Sequence, residues 1–327
     1  MGWQTTLRMT HNVGLVMVLV VLVAAVYTHE VDARSSLCIK PKMDCDPALM
    51  PELYLSDTII NGQVAEPGST PWLISLQDTQ YDRPVHFCGA TLLNHFWVLT
   101  TASCVVSYWD GFDIIQVVAG EYDLDKEEGW EQVRRVWKIE VHPKYKDLTR
   151  DFDVALIMMN FPVFFNERIN PLPLPTNRPL LCQQGITFYE YSYGNDLYLI
   201  VGWGSTKETG EPSSVVLQAY TPVLPRQECI DAYPNQITDT MICAGNLTYG
   251  GLDPCQGDWG GALVSKDGFV TGLASWSVGC GRPGYPGVYT NVDSVVDWIC
   301  DVTSFLNDDR PYSLDEDDRQ HHQDKDD

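Results

Sequence analysis

Cys255-Gln256-Gly257-Asp258-Trp259-Gly260-Gly261 is followed by Ser275-Trp276 and then by Pro286-Gly287-Val288-Tyr289-Thr290. Upstream, Cys88-Gly89-Ala90 leads through Trp97-Val98-Leu99-Thr100-Thr101-Ala102-Ser103 to Cys104, and Ile59-Ile60-Asn61-Gly62 opens the region after a cysteine-bearing connector. Between these segments the texture is even. Short β-rich runs at 72–76, 87–93, 97–99, 114–119, 133–141, 154–159 and 269–276 are separated by Gly, Pro, Asn and Asp. That spacing predicts an all-β barrel or sandwich. One helix closes the region: Val295, Val296, Trp298, Ile299, Val302, Phe305 and Leu306 recur at helical spacing after Asp293, the expected N-cap.

The chain has 327 residues, 44% of them hydrophobic, enough for one large β-rich domain or two small ones. Residues 1–33 read as an export signal. Arg8 precedes an apolar run at 13–26, and Val31-Asp32-Ala33 offers a cleavage site. The run is shorter than the roughly 18 residues that span a bilayer, which favours a cleaved signal over a signal anchor. All ten cysteines lie downstream, and no C-x-x-C pair occurs, so in an exported chain they read as disulfides rather than zinc ligands. The formal charge is −23, and residues 307–327, with nine acids and three bases, are expected to be a disordered acidic tail. Such a surface repels nucleic acid and anionic membranes. The expected plan is a signal at 1–33, a short connector at 34–58, a folded domain at 59–306 and the tail, in a secreted protein with no membrane attachment after signal cleavage.

Taken in order and with their gaps, the three motif segments resemble the trypsin/chymotrypsin family over 59–303. The resemblance implies two six-stranded antiparallel β-barrels with a C-terminal α-helix and a cleft between the barrels. It also places the catalytic parts. The general base belongs just before Cys104, where Ser103 stands; the orienting carboxylate is Asp153; the nucleophile belongs between Asp258 and Gly260, where Trp259 stands. A serine hydroxyl attacks only when an imidazole takes its proton and a carboxylate fixes that imidazole. Ser103 is no base near neutral pH, and the indole of Trp259 has only a donor N–H. The expectation is a dead protease with an obstructed cleft. His95 and His142, near Ser103 in sequence, map away from the cleft and read as solvent-exposed structural histidines; Ser103 as a substitute nucleophile on Asp153 lacks a base of suitable pKa.

The family's activation switch cuts before the residue equivalent to Ile59 and pairs the new ammonium with Asp258. Thr58 replaces the basic residue such a cut needs, which favours an uncut chain over cutting by a protease of other specificity. Asp253 matches the pocket carboxylate that selects Arg or Lys; Ser277 is expected to narrow the entrance, and Gly287 to keep the other wall open. The stretch 121–131 resembles the family's calcium loop. That match implies calcium held by Glu121 and Glu131 directly, by Asp123 and Lys126 through backbone carbonyls, and by Glu128 through water; the alternative is an acidic surface loop. Family position pairs Cys88 with Cys104, Cys229 with Cys243 and Cys255 with Cys280. A further family bridge is missing at both ends, Tyr198 and Ser265. Cys38, Cys45, Cys182 and Cys300 are left with three connectivities. Asn246-Leu247-Thr248 is a glycosylation acceptor.

Three functions follow. The first is a non-catalytic homologue that binds an extracellular protein partner, such as a protease, zymogen or inhibitor of a cascade, as cofactor or decoy in a proteolytic or immune process. The second, the label the fold alone suggests, is an active trypsin-like endopeptidase. The third is a structural component of a secreted fluid or matrix. Fold does not choose among them.

Overall fold

The computed structural model describes residues 62–108, 111–175 and 196–305. The signal, connector and tail, with Thr58, Ile59, Cys38, Cys45 and Cys182, lie outside these. Thirteen strands are present among the described residues: β1 (Gln63–Val64), β2 (Leu73–Asp78), β3 (Val85–Leu92), β4 (Trp97–Thr100), β5 (Ile115–Ala119), β6 (Gln132–Val141), β7 (Ala155–Met159), β8 (Leu197–Gly202), β9 (Leu217–Pro222), β10 (Met241–Ala244), β11 (Ala262–Val264), β12 (Val270–Trp276) and β13 (Gly287–Asn291). Three short helices join them: α1 (Ala102–Val105), α2 (Arg226–Ala232) and α3 (Val296–Phe305).

The first six full strands close a barrel in the order β2-β3-β4-β7-β6-β5, every pair antiparallel. Side chains alternate between the faces of a strand, and this barrel uses both faces. In β7, Ala155, Ile157 and Met159 fill the barrel interior with Ile74, Leu92 and Val98. Leu156 and Met158 point the other way, into a second cluster with Trp97, Leu273, Val295 and Ile299. That is why β4 and β7 are buried at every position: one face is the barrel core, the other is covered by α3 and the second barrel.

The second sheet runs β1-β9-β8-β11-β12-β13-β10. Past the end of β9, Val223 bridges Ala244, and the amides of Leu224 and Gly245 donate to Cys243 and Pro222 at 2.8 and 3.0 Å. These bonds close β8–β13 into the second ring, with β1 added on the edge of β9. The two expected barrels are therefore present, the second carrying a seventh strand.

The helix expectation needs one correction. Asp293 is not the cap of α3; it sits inside a 3-10 turn, Val292–Ser294, whose cap is Asn291, its side chain accepting from the Asp293 amide. Strand β13 runs straight into that turn, so the capping side chain falls at the strand's end and α3 begins only at Val296. No helix among the described residues is long and apolar enough to cross a membrane.

Candidate functional site

Asp153 follows a strained turn. Arg150 and Phe152 both take left-handed backbone angles, φ +56° and +53°, which non-glycine residues adopt at a cost and which concentrate at functional sites. The turn delivers the carboxylate to the seam between the barrels with no exposed surface. There Ser103, on α1, donates its amide to Oδ1 at 2.8 Å and its hydroxyl to Oδ2 at 2.8 Å. Ser275, at the end of β12, donates its hydroxyl to Oδ2 at 2.6 Å. Burial pushes the carboxyl above its usual range, and the donations from Ser275 and Ser103 pull it back down. Asp153 is thus the centre of a closed knot of hydrogen bonds. Ser275 was quoted in the sequence only as half of a Ser-Trp pair; nothing in its spacing marks it as a carboxylate partner.

Trp259 lies on the turn between β10 and β11. It is partly buried and packs against both barrel cores: the cluster holding Ala102, Cys88 and Cys104, and the one holding Ala244, Ala274 and Tyr289. Its carbonyl accepts from the Gly89 amide at 2.8 Å. Gly260 follows with φ +82°, and a Cβ there would lie 2.3 Å from Thr100 Oγ1 and 2.4 Å from the Gly89 carbonyl, so only glycine lets the turn sit this close to β3.

His86, which the sequence reading did not single out, touches this turn. Its Nε2 lies 2.8 Å from the Gly257 carbonyl and its Nδ1 2.8 Å from Ser75 Oγ. A carbonyl only accepts, so Nε2 carries the proton and Nδ1 accepts from Ser75. Burial lowers the pKa to about 4, partly offset by the bond to Gly257; the ring is neutral. His95 and His142 stand elsewhere. His95 is exposed, stacks on Phe165 and bonds the Val163 carbonyl. His142 corrects the expectation of exposure: it is 7% exposed, stacked on Phe152 with Trp298 at its edge. The strained turn folds those aromatic faces over it. None of the histidines among the described residues has a hydrogen bond to Asp153.

Two further aspartates flank the turn. Asp258 accepts from the amides of Gly204 (2.7 Å) and Cys255 (3.0 Å), and burial pushes it up to about 6. Asp253, 1% exposed, accepts from the Gly281 amide at 2.9 Å through Oδ2. Its Oδ1 makes no good hydrogen bond, nor does the buried hydroxyl of Tyr289. Burial pushes Asp253 up to about 7. A Cβ on Gly287 would lie 2.3 Å from that same Oδ1, so the glycine is what admits the carboxylate. Ser277 turns its hydroxyl back onto the Gly279 carbonyl. Across the same rim, Arg282 donates to Glu208 from Nε at 2.7 Å and from a second nitrogen.

The acidic stretch between β5 and β6 gathers Glu121, Glu128 and Glu131, whose carboxylate oxygens converge within 4.8 Å. Glu131 is satisfied by the amides of Glu128 and Gly129 at 2.7 and 2.8 Å, whereas the buried Oε2 of Glu128 has no donor. Burial, then the charge of Glu131, pushes Glu121 up to about 7. Lys126 pairs with the side chain of Asp123, and its amide bonds the Asp123 carbonyl at 2.8 Å.

The bridges Cys88–Cys104, Cys229–Cys243 and Cys255–Cys280 are formed, and Cys300 is disulfide-bonded as well. Asn246 is partly exposed, its side-chain oxygen accepting from the amides of Thr248 and Tyr249 at 3.0 Å each.

Comparison with known proteins agrees with this geometry. The sequence model of the Trypsin family matches residues 59–299. Trypsin-1 of Astacus astacus is 38% identical over 74% of this chain and 98% of its own length. Trypsin II-P29 of Gallus gallus and anionic trypsin of Bos taurus are each 40% identical over 74% of this chain and 88% of theirs. With two antiparallel β-rings, the three bridges and the Gly-Asp-Trp-Gly-Gly turn at their seam, the chain belongs to the trypsin family of serine-protease folds.

Proposed function

We propose that this chain is an exported, catalytically silent member of its family that acts by binding a protein partner on its cleft face, as a cofactor or decoy toward a protease, zymogen or inhibitor. One observation carries the reading: both oxygens of Asp153 are taken by Ser103 and Ser275, while Trp259 fills the nucleophile's place against both cores. No hydroxyl at that turn is left to activate, and the carboxylate has no imidazole to orient. In a comparable hydrolase, loss of triad members lowers turnover about 10⁶-fold. Asp253 supports a binding role. A buried carboxylate oxygen and a buried phenol without partners favour a cationic side chain arriving from a ligand.

The active-endopeptidase alternative, which the names of the trypsin relatives favour, is tested directly. The purified full chain, before and after incubation with an activating protease, is assayed on an arginyl ester and with a serine-directed phosphonate. Turnover or labelling overturns the silent reading. The binding role is tested by capture from the extracellular fluid, with Asp253→Asn as control: a partner retained equally by both proteins removes Asp253 from the interface. N-terminal sequencing of exported material reports the state of the Thr58–Ile59 bond, with an uncut chain expected, and mass spectrometry reports the glycan expected at Asn246.

The acidic loop fits a hard divalent cation. Three converging carboxylates, one with an unpartnered buried oxygen, are an oxygen donor set of the kind calcium takes. Glu121, Glu128 and Glu131 would hold it by their side chains, with the carbonyls of Asp123 and Lys126 alongside. The ion would neutralise mutually repelling charges and tie β5 to β6. It has no part in chemistry at the cleft.

A further inference from the structure

A single line of hydrogen bonds runs through the first barrel from the acidic loop to the turn that carries Trp259. Gln77, 7% exposed on β2, donates its amide to Glu121 Oε2 at 3.3 Å and to Ser75 Oγ at 3.1 Å. Ser75 is fully buried on the same strand. Its hydroxyl donates to His86 Nδ1, and His86 Nε2–H donates to the Gly257 carbonyl, each at 2.8 Å. The carbonyl of the Gln77 side chain accepts from Gln116 Nε2 at 2.7 Å, which fixes which way that amide faces. Every proton in the line therefore has one consistent placement, and it follows from acceptor and donor chemistry alone. Polar groups buried in such a chain polarise one another, and leaving any of them unpaired is costly.

On β2 the line occupies positions that alternate with the apolar interior residues Ile74 and Leu76. Gly257 is two residues from Trp259, whose carbonyl is held by the Gly89 amide; Gly89 is three residues from His86 on β3. The turn is thus held from β3 at two points, one of them at the end of the line from Glu121.

We propose that Gln77, Ser75 and His86 are positioning residues for the cleft surface, and that through them the bonding of Glu121 sets the geometry of the Gly257–Trp259 turn. A cation drawing on Glu121 would act on the cleft by this line; that regulatory half rests on the calcium reading above, while the relay does not.

Amide hydrogen exchange on the full chain tests both, with the amides of Gly89, Asp258 and Gly260 reporting the turn. Glu121→Ala removes the acceptor at the far end and is expected to speed exchange there about fivefold, the loss of one net hydrogen bond. Glu131→Ala, in the same loop but outside the line, is expected to leave those amides unchanged. In a Gln77→Leu background, the effect of Glu121→Ala is expected to vanish. Equal effects of Glu121→Ala and Glu131→Ala, or an effect that survives Gln77→Leu, overturn the relay. Should Gln77→Leu fail to fold, Gln77→Glu, which keeps size and loses both donors, replaces it. Calcium is added in a separate arm, with the amides of Glu128 and Gly129 reporting the loop. Protection gained at the loop without change at the turn overturns the coupling and leaves the cation reading standing. A silent loop, with Glu121→Ala still acting at the turn, supports the relay and removes the cation reading.

Discussion

Asp153 and Asp253 are both buried aspartates, and they meet opposite fates. Asp153 is saturated: an amide and two hydroxyls take both its oxygens. Asp253 receives one amide on Oδ2 and leaves Oδ1 against Gly287 without a well-formed hydrogen bond, beside the unpartnered hydroxyl of Tyr289. The first carboxylate ties three segments together, α1, β12 and the strained turn. The second is the one on which the proposed binding role draws. A buried oxygen without a good donor is a cost to folding, and the binding role proposed above would offset it.

The largest way to break this contrast is to restore what Ser103 and Trp259 displaced. Ser103→His with Trp259→Ser is expected to raise arginyl-ester kcat/KM at least ~10³-fold over the parent once the chain is cut before Ile59, while either change alone stays at background, because the two groups act as a unit. An ester assay on the three variants checks this. Next, Asp153→Ala strands the amide and hydroxyl of Ser103 and the hydroxyl of Ser275, and should cost about 3 kcal/mol in urea unfolding. Asp253→Asn removes a carboxylate whose ionisation the fold disfavours and should leave stability unchanged or raise it by about 1 kcal/mol at pH 7. If the two substitutions cost the same, the contrast between the aspartates is wrong.

A pH titration sharpens it further. Asp253 and Glu121, at about 7, and Asp258, at about 6, have folded pKa values raised above the unfolded range. The stability they contribute is present at acid pH and is lost as pH rises through 6–7. His86, lowered to about 4, acts in the opposite sense: its contribution is present above pH 6.5 and fades as pH falls toward 4. Three raised carboxylates outweigh that one histidine above pH 5.5, so Tm measured without calcium should be a few degrees higher at pH 5.5 than at pH 8. Asp253→Asn should flatten part of that slope. The smallest effect expected is from calcium: at pH 8, a millimolar addition should raise Tm by about 2–4 °C, and Glu128→Gln should abolish the rise.

Much of the fold was legible because its signals are local. The strand runs at 97–99, 114–119 and 133–141 reappear within a residue of β4, β5 and β6, since β-branched and aromatic residues between turn formers declare themselves without tertiary help. The disulfide pairs and the positions of Ser103, Asp153 and Trp259 came from the family resemblance that the motifs carry. The cap of α3 was misplaced because Asp293 and Asn291 are both good capping residues; only the path of β13 chooses between them. His142 was misjudged because burial by Phe152 and Trp298 depends on a left-handed backbone at Phe152, which its residue type does not announce.

By itself, the sequence determined which side chains stand at 103 and 259, and so the basis of the proposed silence. A tryptophan has no nucleophilic oxygen and a serine is no base, whatever surrounds them. Tertiary structure alone decided what the remaining groups do. Ser275 reaches Asp153 from 122 residues away in the chain, and His86 reaches Gly257 from 171. Such bonds are made by barrel closure and strand register, which bring together groups whose spacing in the chain carries no period and no motif.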